Sequence, residues 1–179
     1  MTYVSDNDGF FPPVLTPYDG ASDMKTWDTL LVNASGPGNT AEVCASAKSY
    51  KCPSDLIPRY DNFPENYKNV PARSYSMVWW VDKSNGWYVN PVRLVSIPNP
   101  SKKFLVLEWH EWINIRAVNW DSWVEYSTWL AKSTGTYINN NLGKHHNGGA
   151  NYLYVDGHAE WLSYKDAEKI MQYALDGNQ

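Results

Sequence analysis

The sequence predicts an α+β fold with an antiparallel β-sheet, and three features of its 179 residues lead to that class. The runs 74–81 and 104–109 are rich in β-branched and aromatic residues, which is typical of strands. The run 151–162 places two further strand-like stretches on either side of Asp156-Gly157, a dipeptide typical of tight hairpins. After Ser163, apolar residues recur at helical spacing and predict a C-terminal helix.

The predicted strands differ in how they should be buried. Phe104-Leu-Val-Leu-Glu-Trp109 is a nearly continuous apolar run, which favours a central strand covered on both faces. In Asn151-Tyr-Leu-Tyr-Val155 the two tyrosines should face away from the Leu and the Val, because side chains alternate along a strand. Asp156 and Gly157 are expected to form a two-residue turn and to supply its positive φ angles.

The C-terminal helix has recognisable start and stop signals. Ser163 is predicted to be its N-cap, and Asp166 follows three residues later, close to a capping box. Gly177 is expected to end the helix. Its apolar stripe should comprise Ala167, Ile170, Met171, Ala174 and Leu175.

The first 72 residues carry weaker signals. Residues 6–17 should begin with a turn and continue as extended chain, and Asp23 should cap a short helix over 24–32. Residues 36–72 are rich in Pro, Asn and small polar residues, which predicts a long irregular excursion. We expect all of this to belong to a single domain, 1–179.

The two cysteines, Cys44 and Cys52, lie within this excursion. A short surface loop closed by a disulfide is the preferred interpretation, and it implies an oxidising compartment such as the periplasm or cell surface. Two unpaired thiols are the alternative, which the spacing alone leaves open. Two Cys without another soft-ligand cluster make a thiolate zinc site a poor interpretation.

Composition excludes several classes of protein. Apolar residues make up 43% of the chain, which argues against disorder. A formal net charge of -4 argues against nucleic acid or an anionic membrane surface as a partner. No run approaches the roughly 18 apolar residues that a membrane-spanning helix needs. Aromatic residues reach 15%, with 10 Trp and 13 Tyr, which suit wet surfaces as well as cores.

One motif stands out near the C-terminus: His146, nine residues, then Asp156-Gly157, an H-X9-DG pattern. Together with other pieces in the expected order, it resembles the prepilin-type H-X9-DG family of planctomycete, verrucomicrobial and lentisphaeral bacteria. The accompanying pieces are Ser5-Asp-Asn-Asp-Gly-Phe-Phe-Pro-Pro13, Cys52-Pro-Ser-Asp55, Arg73-Ser-Tyr-Ser76 and Pro98-Asn-Pro-Ser101.

The resemblance implies a pilin-like fold similar to the major pseudopilins of type II secretion systems: a long N-terminal helix packed on an antiparallel sheet. It also implies a structural subunit of a surface fibre, periplasmic or at the cell surface and anchored in the inner membrane before assembly. Its partners would be other pilin-like subunits or the secretion machinery, reached through the N-terminal helix. Only residues 1–5 match that helix, so we expect a truncated sequence whose gene encodes a basic leader and about 20 apolar residues upstream.

The motif also has an interpretation from the residues alone. A strand over residues 151–155 would span roughly 15 Å, so His146 reaches Asp156 only if residues 147–150 double back. The motif should therefore mark two ends of one hairpin. His146 is expected to anchor a loop by hydrogen bonding, and Asp156 to form the turn.

A metal site is the rival interpretation of this region. His146, Asp156 and His158 are weak candidate ligands for zinc or nickel, and His145, Glu108, His110 and Glu111 could lie nearby. The preferred prediction is that there is no metal and no cofactor. Calcium is a separate possibility, since major pseudopilins often bind it and Asp6-Asn-Asp-Gly9 offers oxygen ligands, but a turn at a helix end explains that tetrapeptide as well.

The tryptophans suggest an alternative function. Trp109, Trp112, Trp120 and Trp123 lie close together among Glu and Asn, in a segment (109–130) that the pattern assigns to neither helix nor loop. Such rings could stack on sugars in a carbohydrate-binding cell-surface domain, or could fill a core short of Phe. No catalytic motif is present, so the sequence predicts a protein that is not an enzyme.

Overall fold

The computed structural model describes residues 2–12, 27, 50–56, 73–78, 92–110, 123–124 and 146–175. The chain order is one short helix, a set of strands, and a longer helix at the C-terminus. The elements are α1 (Thr2–Asp6), β1 (Tyr75–Val78), β2 (Phe104–Glu108), β3 (Trp123–Val124), β4 (Gly149–Tyr154), β5 (Ala159–Ser163) and α2 (Tyr164–Leu175).

The strands form one sheet in the order β3-β1-β2-β4-β5. The pairs β1–β2, β2–β4 and β4–β5 are antiparallel, which confirms the predicted α+β class with an antiparallel sheet. The edge pair β1–β3 is parallel, with Met77 opposite Trp123. This pair departs from the prediction, and β3 falls in the segment for which the sequence indicated neither helix nor loop.

The central strand β2 is covered on both faces, as its apolar sequence predicted. Its register with β4 shifts between Phe104 and Val106, because β2 carries one extra residue there. Phe104 and Leu107 therefore lie in the cluster under α2, while Leu105 and Val106 pack against the clusters on the other face.

The face under α2 holds the largest core. Phe104 stacks on Tyr152 with ring centroids 4.5 Å apart and meets Tyr154 edge-on at 4.9 Å. From α2, Ala167 and Met171 are fully buried against this layer. Burying aromatic rings of this size supplies much of the favourable free energy of such a core.

The opposite face is covered by the N-terminal segment. Val4 of α1 packs with Phe11, Ile97 and Val155, and Leu105 of β2 lies against the same cluster. Tyr152 and Tyr154 face α2, while Val155, directly after β4, faces α1, as predicted for these three residues. A third cluster, around Trp27 and Met77, also contacts Leu105.

The β4–β5 hairpin is confirmed, but its turn differs from the prediction. The Tyr154 amide donates to the His158 carbonyl, and the Gly157 amide donates to the Tyr154 carbonyl. Gly157 has φ +94°, whereas Asp156 is not among the residues with positive φ. The loop therefore has three residues, Val155–Gly157, with a glycine bulge at its end, instead of two residues with positive φ.

The start of α2 follows the predicted capping pattern. The Asp166 amide donates to Ser163 Oγ at 3.3 Å, and Ser163 Oγ donates back to Asp166 Oδ2 at 2.6 Å. Lys169 adds an ion pair to Asp166 at 2.8 Å. The first of these contacts satisfies one of the amides that a helix start otherwise leaves without partners.

Several predicted features lie outside the described residues. They are the helix over 24–32 apart from Trp27, most of the irregular excursion 36–72, strand residues 79–81 and Gly177. Within the described segments, none of the helices combines the length and apolarity needed to cross a membrane.

Candidate functional site

The two halves of the H-X9-DG motif lie at opposite ends of β4. His146 precedes the strand, and Asp156 lies in the turn that follows it. A six-residue strand spans about 20 Å, so the two side chains share no site. The expectation that the motif marks two ends of one hairpin is confirmed.

His146 connects three parts of the chain. Its Nε2 lies 3.2 Å from Cys52 Sγ and 3.2 Å from Glu108 Oε2. Its carbonyl oxygen accepts a hydrogen bond from Trp161 Nε1 at 3.1 Å. The ring thus joins the segment 50–56 to the end of β2, which agrees with the predicted role of a loop anchor. Cys52, Glu108, His110 and His146 are called the His146 cluster below.

Cys52 is held in place by its backbone. Its amide donates to Ser74 Oγ at 2.9 Å, and Ser74 Oγ donates to Asp55 Oδ2 at 2.5 Å. The Asp55 amide closes the turn on the Cys52 carbonyl at 2.9 Å. The segment Cys52–Asp55 is therefore fastened directly to the chain that enters β1.

Cys52 is a buried free thiol in the structure. Cys44, its partner in the predicted disulfide, lies outside the described residues. The Cys52 side chain is directed towards His146, a residue 94 positions further along the chain. Local spacing carried no sign of that contact, which is why the sequence favoured a short closed loop.

Glu108 provides the negative charge of the cluster. Its side chain is 4% exposed, and Oε1 accepts a hydrogen bond from Asn151 Nδ2 at 2.8 Å. His110 Nε2 lies 3.9 Å from Oε2, beyond hydrogen-bond distance. The pKa of Tyr75 is raised to about 12, mainly because the side chain is buried and secondly because the Glu108 carboxylate is nearby.

The thiol of Cys52 is not prepared for nucleophilic attack. Burial raises its pKa, and the nearby Glu108 carboxylate acts in the same direction. A catalytic imidazole uses one nitrogen for the thiol and the other for the carboxylate, but here both groups contact His146 Nε2. The cluster can instead offer ligands: the ligand atoms of Cys52, Glu108 and His110 all lie within 4.8 Å of one another.

The other end of β4 is a structural turn. Asp156 Oδ1 accepts a hydrogen bond from the backbone amide of His158 at 3.1 Å and also lies 2.6 Å from Nδ1 of the His158 ring. The ring of His158 stacks on Tyr154 with centroids 3.9 Å apart. Hydrogen bonding to His158 lowers the pKa of Asp156. The prediction that His146, Asp156 and His158 are candidate ligands of one metal ion is therefore wrong. Asp156 and His158 form this turn, whereas His146 lies at the far end of the strand.

Of the tryptophans predicted to bind sugars, one lies in the core, two lie outside the described residues, and one is described only by its backbone. Trp109 is 2% exposed and belongs to the core, so it is not a sugar-stacking surface residue. Trp112 and Trp120 lie outside the described residues, as do His145 and Glu111, and Trp123 is described only as part of β3. Trp161, which the sequence did not single out, has an indole that is 48% exposed.

The Asp6–Gly9 segment forms the turn that ends α1. The Gly9 amide donates to the Val4 carbonyl at 2.8 Å, and Asn7 Nδ2 donates to the Tyr3 carbonyl at 2.8 Å. Asp8 and Gly9 both take positive φ angles. These contacts explain the tetrapeptide as a helix-ending turn, and they leave the calcium hypothesis untested.

Sequence reasoning missed three contacts of the His146 cluster. The sequence favours a disulfide for Cys52, and it indicates Ser74 and Asn151 only as residues of predicted strands. The one local signal is the pair Glu108 and His110, which lie two positions apart and so face the same way at the end of β2.

Comparison with known proteins found no relative of this chain. The chain matches no family model, no curated protein and no solved structure.

Proposed function

We propose that this chain is the globular head of a pilin-like structural subunit, of the type II secretion or type IV pilus-like kind, and not an enzyme. The observation that supports this most is where the pieces of the motif set lie. They meet in two groups, one at each end of β4, and each group fastens a different part of the chain to the sheet.

The first group surrounds His146. It joins Cys52–Asp55 and Ser74 to the start of β4 through the contacts at 3.2 Å and 2.9 Å described above. Most of its side chains are buried, and its polar atoms bond to one another. Such a group stabilises a fold, and the residues that carry the resemblance therefore need no reaction to explain them.

The second group surrounds the hairpin turn. Val155, which directly precedes Asp156, donates its amide to the Lys103 carbonyl at 2.9 Å. Its side chain packs in one cluster with Val4, Ile97 and Phe11, and Phe11 belongs to the Ser5–Pro13 piece of the motif set. The helix α1 is thereby seated on the sheet face opposite α2. An N-terminal helix packed on an antiparallel sheet is the arrangement that the resemblance implies for a subunit whose helix continues towards its neighbours.

The carbohydrate-binding alternative has less support. One of its four tryptophans, Trp109, lies in the core. The exposed Trp161 covers the backbone of Gly149, and its indole N–H is bonded to His146. The ring therefore has a structural role that accounts for its position without a sugar.

Cell fractionation tests the proposal. In cells that carry the natural gene, surface filaments are sheared off, pelleted and probed with an antibody against this chain. We expect the protein in the filament fraction and, before assembly, in the inner membrane. When the peptidase that trims prepilin leaders is inactivated, the signal should be lost from the filament fraction and should remain in the inner membrane.

A chain found only as free protein in the medium, with or without that peptidase, would contradict the proposal. The glycan alternative is examined in parallel by titrating a glycan panel against intrinsic Trp fluorescence. A saturable response that is lost in a Trp variant with an unchanged melting temperature would favour sugar binding instead.

A further inference from the structure

We propose that the His146 cluster is a binding site for a divalent transition-metal ion, with zinc the best match, ligated by Cys52, Glu108, His110 and His146. This site goes beyond the proposed structural role and does not depend on it. It also differs from the metal site considered for the sequence, because neither Asp156 nor His158 belongs to it.

The spacing of the ligand atoms fits a tetrahedral zinc ion. Zinc bonds of about 2.3 Å to sulfur and about 2.0–2.2 Å to nitrogen and oxygen place neighbouring ligand atoms roughly 3.3–3.6 Å apart. Here His146 Nε2 lies 3.2 Å from both Cys52 Sγ and Glu108 Oε2, and His110 Nε2 lies 3.9 Å from Glu108 Oε2. The ligand atom of Cys52 lies within 4.8 Å of those of both Glu108 and His110. His110 departs most from this spacing, so a bound ion would draw its side chain towards the other three ligands.

The chemistry of the four ligands selects the metal. One thiolate, two imidazoles and one carboxylate form a mixed set that zinc accepts, whereas calcium and magnesium require oxygen ligands. Within the described segments, Cys52, Glu108 and His110 are the group of three metal-ligating side chains that comes together, and His146 adds a fourth ligand atom beside two of them.

A cation also resolves the hydrogen bonding at His146. Its Nε2 carries at most one proton and faces two groups, the Cys52 sulfur and the Glu108 carboxylate, at the same distance. One N–H cannot point straight at both. An ion between the three groups would satisfy all of them at once.

The surroundings match those of built metal sites. The other oxygen of Glu108 is held by Asn151 Nδ2 at 2.8 Å, and the backbone of Cys52 is fixed by Ser74. Cys52, Glu108 and His110 are buried, while the His146 side chain is 24% exposed and lies in a turn. An ion could therefore enter on the His146 side.

Cobalt spectroscopy on the reduced, metal-free natural chain tests this proposal. Added Co²⁺ should give the intense visible bands of a tetrahedral site together with a thiolate-to-cobalt charge-transfer band, and Zn²⁺ should displace it one for one. Cys52→Ser should remove the charge-transfer band. Cys52→Ser and His146→Gln should each weaken Zn²⁺ binding by more than about 100-fold, since even second-shell losses reach that range.

Two matched controls keep the result specific. Cys44→Ser removes the other thiol, and His158→Gln removes an exposed histidine bonded to Asp156; both variants should bind as tightly as the natural chain. Circular dichroism reports whether each variant is folded. If Cys52→Ser or His146→Gln does not fold, the natural chain decides: absence of the tetrahedral cobalt bands, or of the thiolate band, would overturn the proposal. So would full loss of binding in Cys44→Ser.

Discussion

Replacing Gly149 by alanine should force β4 and β5 apart, because the added methyl group has no space. A Cβ atom at this position would lie 2.5 Å from Trp161 Cζ2 and 2.7 Å from Cε2, and still closer to the Leu162 carbonyl oxygen. That oxygen belongs to the backbone of β5, in the ladder where Gly149 pairs with Ser163, so it cannot turn away. Either the first pair of the hairpin opens or the Trp161 ring is displaced.

The expected cost follows from these two consequences. Overpacking costs about 1–3 kcal/mol, and losing the Trp161–His146 hydrogen bond adds about 1 kcal/mol, which gives a total of about 3 kcal/mol. For a domain of this size each kcal/mol corresponds to about 2–4 °C, so the melting temperature should fall by about 6–12 °C. Displacement of the indole should also change its fluorescence.

Gly148→Ala is the matched control. Gly148 has φ +82° and no atom within 4 Å of an added Cβ, so its cost is backbone strain alone, about 1–2 kcal/mol. Differential scanning calorimetry of both variants and of Gly149→Ala/Trp161→Ala completes the set. The double variant should recover only part of the loss, since the Leu162 oxygen remains. A Gly149→Ala protein that melts with or above Gly148→Ala would refute the reasoning.

Three further predictions concern other parts of the fold. Trp109→Ala should lower the free energy of unfolding by about 3–5 kcal/mol in denaturant titrations, because its ring is buried. The Lys169 ammonium and then Ser163 lower the pKa of Asp166 from 3.8, so its carboxylate stabilises the fold above that pH and this contribution is lost as the pH falls further. Asp166→Asn should therefore melt below the natural chain at pH 7 and together with it in strong acid. An ultraviolet titration should find Tyr75 ionising only near pH 12.

Features set by neighbouring residues could be predicted from the sequence. The cap of α2 depends on Ser163 and Asp166, which lie within one turn of each other. The hairpin depends on the positive φ of Gly157 and on side chains that face opposite sides of the sheet, Tyr152 towards α2 and Val155 towards α1. In each case the interaction closes over a few positions, so the pattern of residue types is enough to indicate it.

The turn itself shows where local reasoning ends. Asp-Gly is compatible with a two-residue turn and with a three-residue turn ending in a glycine bulge. The choice depends on register, and the register pairs Leu153 with Ala159 and Tyr152 with Glu160. Tyr152 also stacks on Phe104, a residue of another strand, so contacts outside the hairpin help to hold β4 in place.

The His146 cluster could not be predicted for the same reason. Cys52 reaches Ser74 over 22 positions and His146 over 94. Two cysteines eight positions apart favour a local disulfide, because nothing near Cys52 indicates that its thiol faces a histidine that precedes β4. The parallel pairing of β3 with β1 likewise joins residues far apart in the chain.

Cysteine cross-linking in cells that carry the natural gene tests the central claim most directly: that copies of this chain assemble side by side through the helix that includes α1. Ser5 is an exposed residue of α1, and Ser5→Cys changes little else. Treatment with a short thiol cross-linker should give a ladder of dimers, trimers and larger species. Lys169→Cys on α2, exposed on the other sheet face, serves as the control and should give a weaker ladder. A treated Ser5→Cys protein that gives no more cross-linked species than the treated natural chain would contradict the account.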